Sequence, residues 1–280
     1  LALVHDTPIT HTIPTCGSNY RYYTATVNNG AAWKVIGLRN ASVTWLYLNV
    51  YSDAAYSTLL CSTAAYNSWE YIVINAGAGV TYYPRTDSSG AATTYQIEWW
   101  DGNTLLTVST GQGPYTLGSL HVAHSYDINL TAGITYTFTV NVTGGTEDIV
   151  IRLHNPASGA CQPFTTYAAT ADTGGAGVSE SISCFTVPNT GRYTLVVYNK
   201  SNGATDTTYT IDVTTAAPTA LVHDTPLTHS IPDCNSNYRY YTATVNNGAG
   251  WKVVGVRNAS ETWLYLNVYS NAAYSTLLCS

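Results

Sequence analysis

Residues 179–213 read SESISCFTVPNTGRYTLVVYNKSNGATDTTYTIDV. Three short runs rich in β-branched and aromatic residues, 182–187, 192–198 and 207–213, are separated by clusters of Pro, Asn, Gly, Ser and Asp. Those clusters supply the backbone conformations of turns, and the runs fit a pleated surface. No window of a dozen residues keeps a 3.6-residue period, so strands are expected and helices are not. The same grammar extends upstream to 135–142 and 148–154, and through 19–27, 33–40, 44–51, 69–75 and 93–100. NNG at 28–30 and DGN at 101–103 mark tight turns. Strands about every ten residues without helical crossovers predict an all-β chain of tandem antiparallel β-sandwiches, jelly-roll or immunoglobulin-like, with no substantial helix.

Residues 3–62 recur at 221–280 with nine differences in sixty positions, among them Ile9 to Leu227 and Ile36 to Val254. The repeat sets the expected boundaries: a first sandwich at 3–107, a second at 112–214, a linker TTAAPTA at 214–220, and a partial second copy of the first at 221–280. The 280 residues then read as a window on a longer tandem array.

Composition narrows the function. Charged residues are 9% of the chain, with ten Lys and Arg and a net charge of −6. A surface built from hydroxyls and amides stays soluble without charge, and nucleic acid loses its electrostatic basis for binding. No stretch has the roughly 20 apolar residues of a membrane span. Six cysteines fall two to a domain: Cys16 and Cys61, Cys161 and Cys184, Cys234 and Cys279. None has CxxC spacing, so three intradomain disulfides formed in an oxidising compartment are expected, with buried free thiols as the alternative. Sequons at Asn40, Asn129, Asn141, Asn199 and Asn258 are candidate glycosylation sites.

EDIVIRLHNPASG at 147–159, followed by 179–213, resembles the bacterial pre-peptidase C-terminal domain, a small β-sandwich. That family shows an Asp-led strand, an apolar-x-apolar run, a G-x-Y strand and a closing Y-t-l strand. TWLYLNVYSDAAYSTLL at 44–60 and SGAATTYQIEWW at 89–100 are similar but more diverged. The resemblance implies a non-catalytic appendage of a secreted hydrolase, or part of a large surface protein.

Few residues carry chemistry. Along 44–51, alternation puts Leu46, Leu48 and Val50 on one face and Trp45, Tyr47 and Tyr51 on the other. The aromatic stripe recurs as Trp263, Tyr265 and Tyr269, and residues 148–154 have Val150, Arg152 and His154 in its place. Such a stripe packs on a neighbouring domain or stacks on sugar rings. His5, Asp6 and His11, repeated at His223, Asp224 and His229, are expected to hydrogen-bond at the domain joint with His121 and His124. No GxSxG or HExxH motif accompanies them, and no metal centre is expected there. Calcium is the one cation weighed, through the scattered Glu147, Asp148, Asp172, Glu180 and Asp206. Glu98 and Asp101 would form a glycosidase dyad only at about 5–9 Å across a cleft.

The expectation is therefore a non-catalytic extracellular or cell-surface structural protein without a cofactor. It would form a fibre, stalk or filament through neighbouring copies of itself, with strand addition between subunits as one route. A tandem carbohydrate-binding or adhesin module, with glycans as partner, is the alternative.

Overall fold

The computed structural model describes residues 1–13, 20–40, 46–65, 69–88, 92–118, 121–200 and 205–215, together with 219–221, 224, 241–244, 252–255, 266–270 and 277–279. The chain divides into two units, Leu1–Thr215 and Ala216–Ser280. Strands dominate both, with a single 3-10 turn at Pro156–Ser158 among the described residues. No helix among these residues is long and apolar enough to cross a membrane.

The first unit opens with β1 (Ala2–Leu3), β2 (Ile9–Ile13), β3 (Tyr20–Tyr22), β4 (Thr24–Thr26) and β5 (Ala32–Asn40). It continues with β6 (Leu46–Tyr51), β7 (Leu59–Ala65), β8 (Trp69–Ala76), β9 (Thr81–Ser88) and β10 (Thr93–Trp100). Then come β11 (Leu105–Leu106), β12 (Gln112–Leu117), β13 (Ala123–Leu130), β14 (Thr135–Gly144) and β15 (Ile149–His154). The last five are β16 (Cys161–Pro163), β17 (Ala169–Ala171), β18 (Glu180–Thr186), β19 (Gly191–Asn199) and β20 (Thr207–Thr215).

Four sheets result. The first sandwich pairs a sheet ordered β1-β4-β9-β6-β7, with β3 also on β9, against one ordered β16-β8-β5-β10-β2. The second pairs β11-β13-β19-β15-β17 against β12-β20-β14-β18. All pairs in this unit are antiparallel except β1 with β4 and β11 with β13. Each sandwich has its own core. Leu46, Leu48 and Val50 are fully buried in the first, as alternation predicts, and Ile149, Ile151 and Leu153 are fully buried in the second.

Burial separates two kinds of sheet. In β9 and β20 exposure alternates residue by residue, as in a sheet with one face toward water. In β8 and β19 nearly every residue is buried, because both faces are covered. The runs YIVI at 71–74 and YTLVVY at 193–198 are the sequence trace of this double burial. The two doubly covered sheets face each other, so the sandwiches meet sheet to sheet.

Every expected strand is present over its described residues, with differences at the edges. The run 19–27 is interrupted at Tyr23, whose N–H turns to Pro84 O at 2.8 Å. β9 and β12 escape sequence reading because each contains a proline; β12 is an edge strand, where a missing N–H is tolerated. Two short segments cross the boundary drawn from the repeat. β11 pairs in parallel with Asp127 and Ile128 of β13, and β16 adds to the edge of β8 in the first sandwich.

The second unit repeats the first where it is described. β21 (Thr219–Leu221) pairs with β22 (Tyr241–Ala243) in parallel, with Ala220 opposite Thr242 as Ala2 is opposite Thr24. β23 (Val268–Tyr269) pairs with β24 (Leu277–Cys279), with Val268 opposite Cys279 as Val50 is opposite Cys61.

Candidate functional site

The joint between the sandwiches is where the distinctive side chains gather. Because β5, β8, β13, β15 and β19 are covered on both faces, alternate residues leave their own core and enter the joint. Trp33, Val35, Trp69, Tyr71 and Val73 come from the first sandwich; Val122, Val150, Val196 and Tyr198 come from the second. Val35, Val73, Val150 and Val196 are fully buried, each worth about 1.5–3 kcal/mol relative to exposure. Gly37 lets the backbones approach: a Cβ there would lie 2.6 Å from Val122 Cβ.

Arg152 and His154, which stand where the first sandwich has its aromatic stripe, belong to this joint. The Arg152 guanidinium lies 4.9–5.8 Å from the ring centres of Tyr167, Tyr198, Phe164 and Trp69, and its Nη1 donates to Phe164 O at 2.7 Å. His154 is fully buried, 3.1 Å from Tyr71 Oη, and burial pulls its pKa down to about 4. The first sandwich's own stripe is elsewhere, on its outer sheet. Tyr47 is half-buried, and Tyr51 is buried beside Tyr56 with Arg85 over its ring at 5.2 Å. Tyr269 is half-buried in β23, while Trp45, Trp263 and Tyr265 lie outside the described residues.

Polar groups secure the joint at several points. Asp127 accepts the Trp33 N–H at 3.1 Å and pairs with Arg192 Nε at 2.5 Å. Burial nevertheless raises the Asp127 pKa against these favourable contacts. Trp33 Nε1 donates to Arg192 O at 2.9 Å, and Ser125 Oγ donates to Trp33 O at 2.8 Å.

At one end of the joint, Asp6, Glu98, His121 and His124 converge, with a ligand atom from each within 4.8 Å of the others. Asp6 is held by its N–H to Trp99 O at 3.0 Å. Glu98 projects from β10, and its Oε2 accepts the N–H groups of Val122 at 2.5 Å and Ala123 at 3.4 Å. His121 Nδ1 is 2.7 Å from Glu98 Oε1 and 3.1 Å from Asp6 Oδ1. Burial opposes charge on His121, but its hydrogen bond to Glu98 and the charges of Glu98, Asp6 and Asp206 prevail and raise its pKa. Burial likewise pushes the Glu98 carboxyl up, and the two histidines more than reverse it, leaving the pKa well below the ordinary value. His124 stacks on Trp100 at 3.6 Å.

The expected gathering of histidines at the joint thus divides. His121, His124 and Asp6 meet, joined by Glu98. His5 stands beside them, with Nδ1 accepting the Asp101 N–H at 2.8 Å. His11 instead contacts Tyr23 and Tyr95 in the first sandwich. Of the repeated set, Asp224 is described, with the same positive φ as Asp6, 55° against 54°; His223 and His229 lie outside the described residues.

Glu98 and Asp101 are engaged separately, Glu98 with His121 and Asp101 with Lys34. Asp101 pairs with the fully buried Lys34 at 2.8 Å and accepts the N–H groups of Asn28 and Asn29 at 2.6 and 3.0 Å. The NNG and DGN turns are therefore tied together, with NNG as the corner between β4 and β5, which lie in different sheets.

The cysteines pair otherwise than the domain-wise count implies. Cys61 in β7 is bonded to Cys161 in β16, because β16 leaves the second sandwich to join the first. Intradomain pairing of Cys61 with Cys16 and of Cys161 with Cys184 is thereby replaced. Cys184 is also disulfide-bonded, and Cys16, Cys234 and the Cys279 side chain lie outside the described residues.

Among the sequons, Asn129 is exposed and Asn141 donates to Asp212 at 2.9 Å. Asn199 is fully buried and donates to Glu147 at 3.2 Å, leaving no room for sugar in this fold. Asn258 and the Asn40 side chain lie outside the described residues. The acidic residues weighed for calcium serve other ends: Glu147 caps Thr205, Glu180 caps Thr173 and Gly174, and Asp172 pairs with Lys200 at 2.9 Å. Asp148 and Asp206 also have partners of their own.

No curated protein matches the chain. Among solved structures, the pre-peptidase C-terminal domain of collagenase from Bacillus anthracis is similar at 18% identity, covering 35% of this chain and 90% of that one with a TM-score of 0.30. The N-terminal CBM22-1-CBM22-2 tandem of Paenibacillus barcinonensis Xyn10C is similar at 10% identity, covering 69% and 82%, with a TM-score of 0.23. Over residues 122–199, within the second sandwich, the chain matches the family model of the bacterial pre-peptidase C-terminal domain.

Proposed function

We propose that the chain is a non-catalytic structural protein of the cell exterior, with paired sandwiches repeated along a fibre, stalk or filament. One observation supports this most directly: the residues with which the first sandwich builds the joint recur in the second copy. Trp33, Val35 and Gly37 return as Trp251, Val253 and Gly255. Val253, the counterpart of a fully buried valine, is 92% exposed in its own unit. A following sandwich like that of 112–214 would find the same face, so length grows by repeating one interface. The disulfide favours an oxidising compartment. The β8 edge already accepts a strand from outside its sandwich, which favours strand addition as a way of joining subunits.

A tandem carbohydrate-binding or adhesin module is the second reading. Its support is the exposed pair Tyr20 and Tyr22, with Tyr22 and Tyr56 rings 4.4 Å apart and Arg85 over Tyr20 at 5.5 Å. Electron microscopy of native extracellular material separates the two. Filaments with density recurring every two sandwiches uphold the structural reading. Separate beads that bind a glycan array favour the second.

A further inference from the structure

Asp6, Glu98 and the pair His121 and His124 lie in three separate parts of the sequence, yet their ligand atoms occupy one small volume. Around an ion bound tetrahedrally at about 2.0–2.1 Å, ligand atoms stand roughly 3.3 Å apart. Four edges of such a figure are present: His121 Nδ1 to Glu98 Oε1 at 2.7 Å and to Asp6 Oδ1 at 3.1 Å, and His124 Nε2 to the same two oxygens at 3.4 and 3.5 Å.

His124 supplies an independent indication. It is 2% exposed, and neither ring nitrogen makes a hydrogen bond. Its Nε2 nevertheless faces two carboxylate oxygens at distances too long for a charge-assisted hydrogen bond of about 2.7–2.9 Å. Buried polar atoms without partners are rare, and a cation between these groups would satisfy nitrogen and oxygens together.

We propose that these four residues bind one divalent ion of the zinc class. Two carboxylates balance the charge of the ion, and two imidazoles supply the nitrogen donors that calcium and magnesium do not seek. The outer contacts suit the role: Glu98 Oε2 is fixed by the Val122 N–H at 2.5 Å, which aims Oε1 inward, and the Asp6 backbone is anchored to Trp99 O. The ion ties the N-terminal segment and β10 of the first sandwich to the start of the second. This inference does not depend on the fibre reading.

The test uses the untagged 280-residue protein, stripped with chelator and reloaded with zinc or cobalt(II), with metal counted by plasma mass spectrometry after dialysis. The expected result is one retained equivalent, the intense visible absorption of four-coordinate cobalt, and a metal-dependent rise in Tm. His124→Phe, which keeps a ring on Trp100, and Asp6→Asn, at a partly exposed position, should each lose the retained equivalent. Circular dichroism establishes that each variant is folded; if His124→Phe is not, Asp6→Asn decides. Equal metal retention by wild type and a folded variant, or a six-coordinate cobalt spectrum, overturns the proposal.

Discussion

Cys61 lies in the first sandwich and Cys161 comes after fifty residues of the second, yet the two are bonded with Cα atoms 5.9 Å apart. The loop they close spans 100 residues, for which chain entropy gives about 4–5 kcal/mol of stabilisation. Non-reducing peptide mapping should recover the 61–161 pair. The double Cys61→Ser, Cys161→Ser variant should unfold at clearly lower denaturant. Recovery of Cys61 linked to Cys16 instead would refute the arrangement.

Gly37 of the first sandwich faces Val122 of the second with no room for a side chain. A methyl added at Gly37 meets Val122 Cβ at 2.6 Å inside a covered joint, where neither backbone can withdraw freely. Gly37→Ala should cost about 1–3 kcal/mol through overpacking. Gly175→Ala, where an added Cβ meets nothing within 4 Å, is the control and should be near neutral in the same thermal melt.

Lys34 and Asp101 form an ion pair with no exposure on either side chain. Removing one partner strands the other charge, so Lys34→Met should destabilise by about 3–5 kcal/mol. The Lys34→Met, Asp101→Asn double variant should regain much of this loss. A double-mutant cycle in urea measures the coupling, and strict additivity would contradict the pair's role.

Glu70 gives a pH dependence with a definite sign. Its carboxyl is fully buried in the first sandwich, and burial pushes its pKa up to about 8, with Thr63 opposing. The folded state therefore holds a proton that the unfolded chain releases near 4.5. Stability from this group is complete below that value and falls as pH rises toward 8, by an amount on the order of 4 kcal/mol. Glu70→Gln should match wild type near pH 4 and exceed it near pH 9 in denaturant titrations.

Particular residues show what was legible in the sequence. Leu46, Leu48 and Val50 announce their buried face by alternation alone, and Val150, Arg152 and His154 announce a second face of different character. That this face meets the other sandwich was open to reading in YIVI and YTLVVY, whose largely apolar runs, broken only by Thr194, signal sheets covered on both sides. The pairing of Cys61 with Cys161 was hidden, since counting cysteines by domain assumes that no strand changes domain, and β16 does. The meeting of Asp6 with His121 and His124 at the joint was legible in their placement at the domain entrances, whereas the arrival of Glu98 among them was hidden. Glu98 shares no local spacing with Asp6 or with the His121–His124 pair, and it joins them only when the two sandwiches dock.

The Cys61–Cys161 bond also changes what a mechanical pull can do. Tension applied along the backbone from either end passes from residue 61 to residue 161 through sulfur, bypassing the chain between them. At about 3.5 Å per extended residue, some 35 nm of contour length stays out of reach until the bond is reduced. In an oxidising medium a pull can draw out only the chain outside residues 61–161, whereas reduction releases the loop as added length.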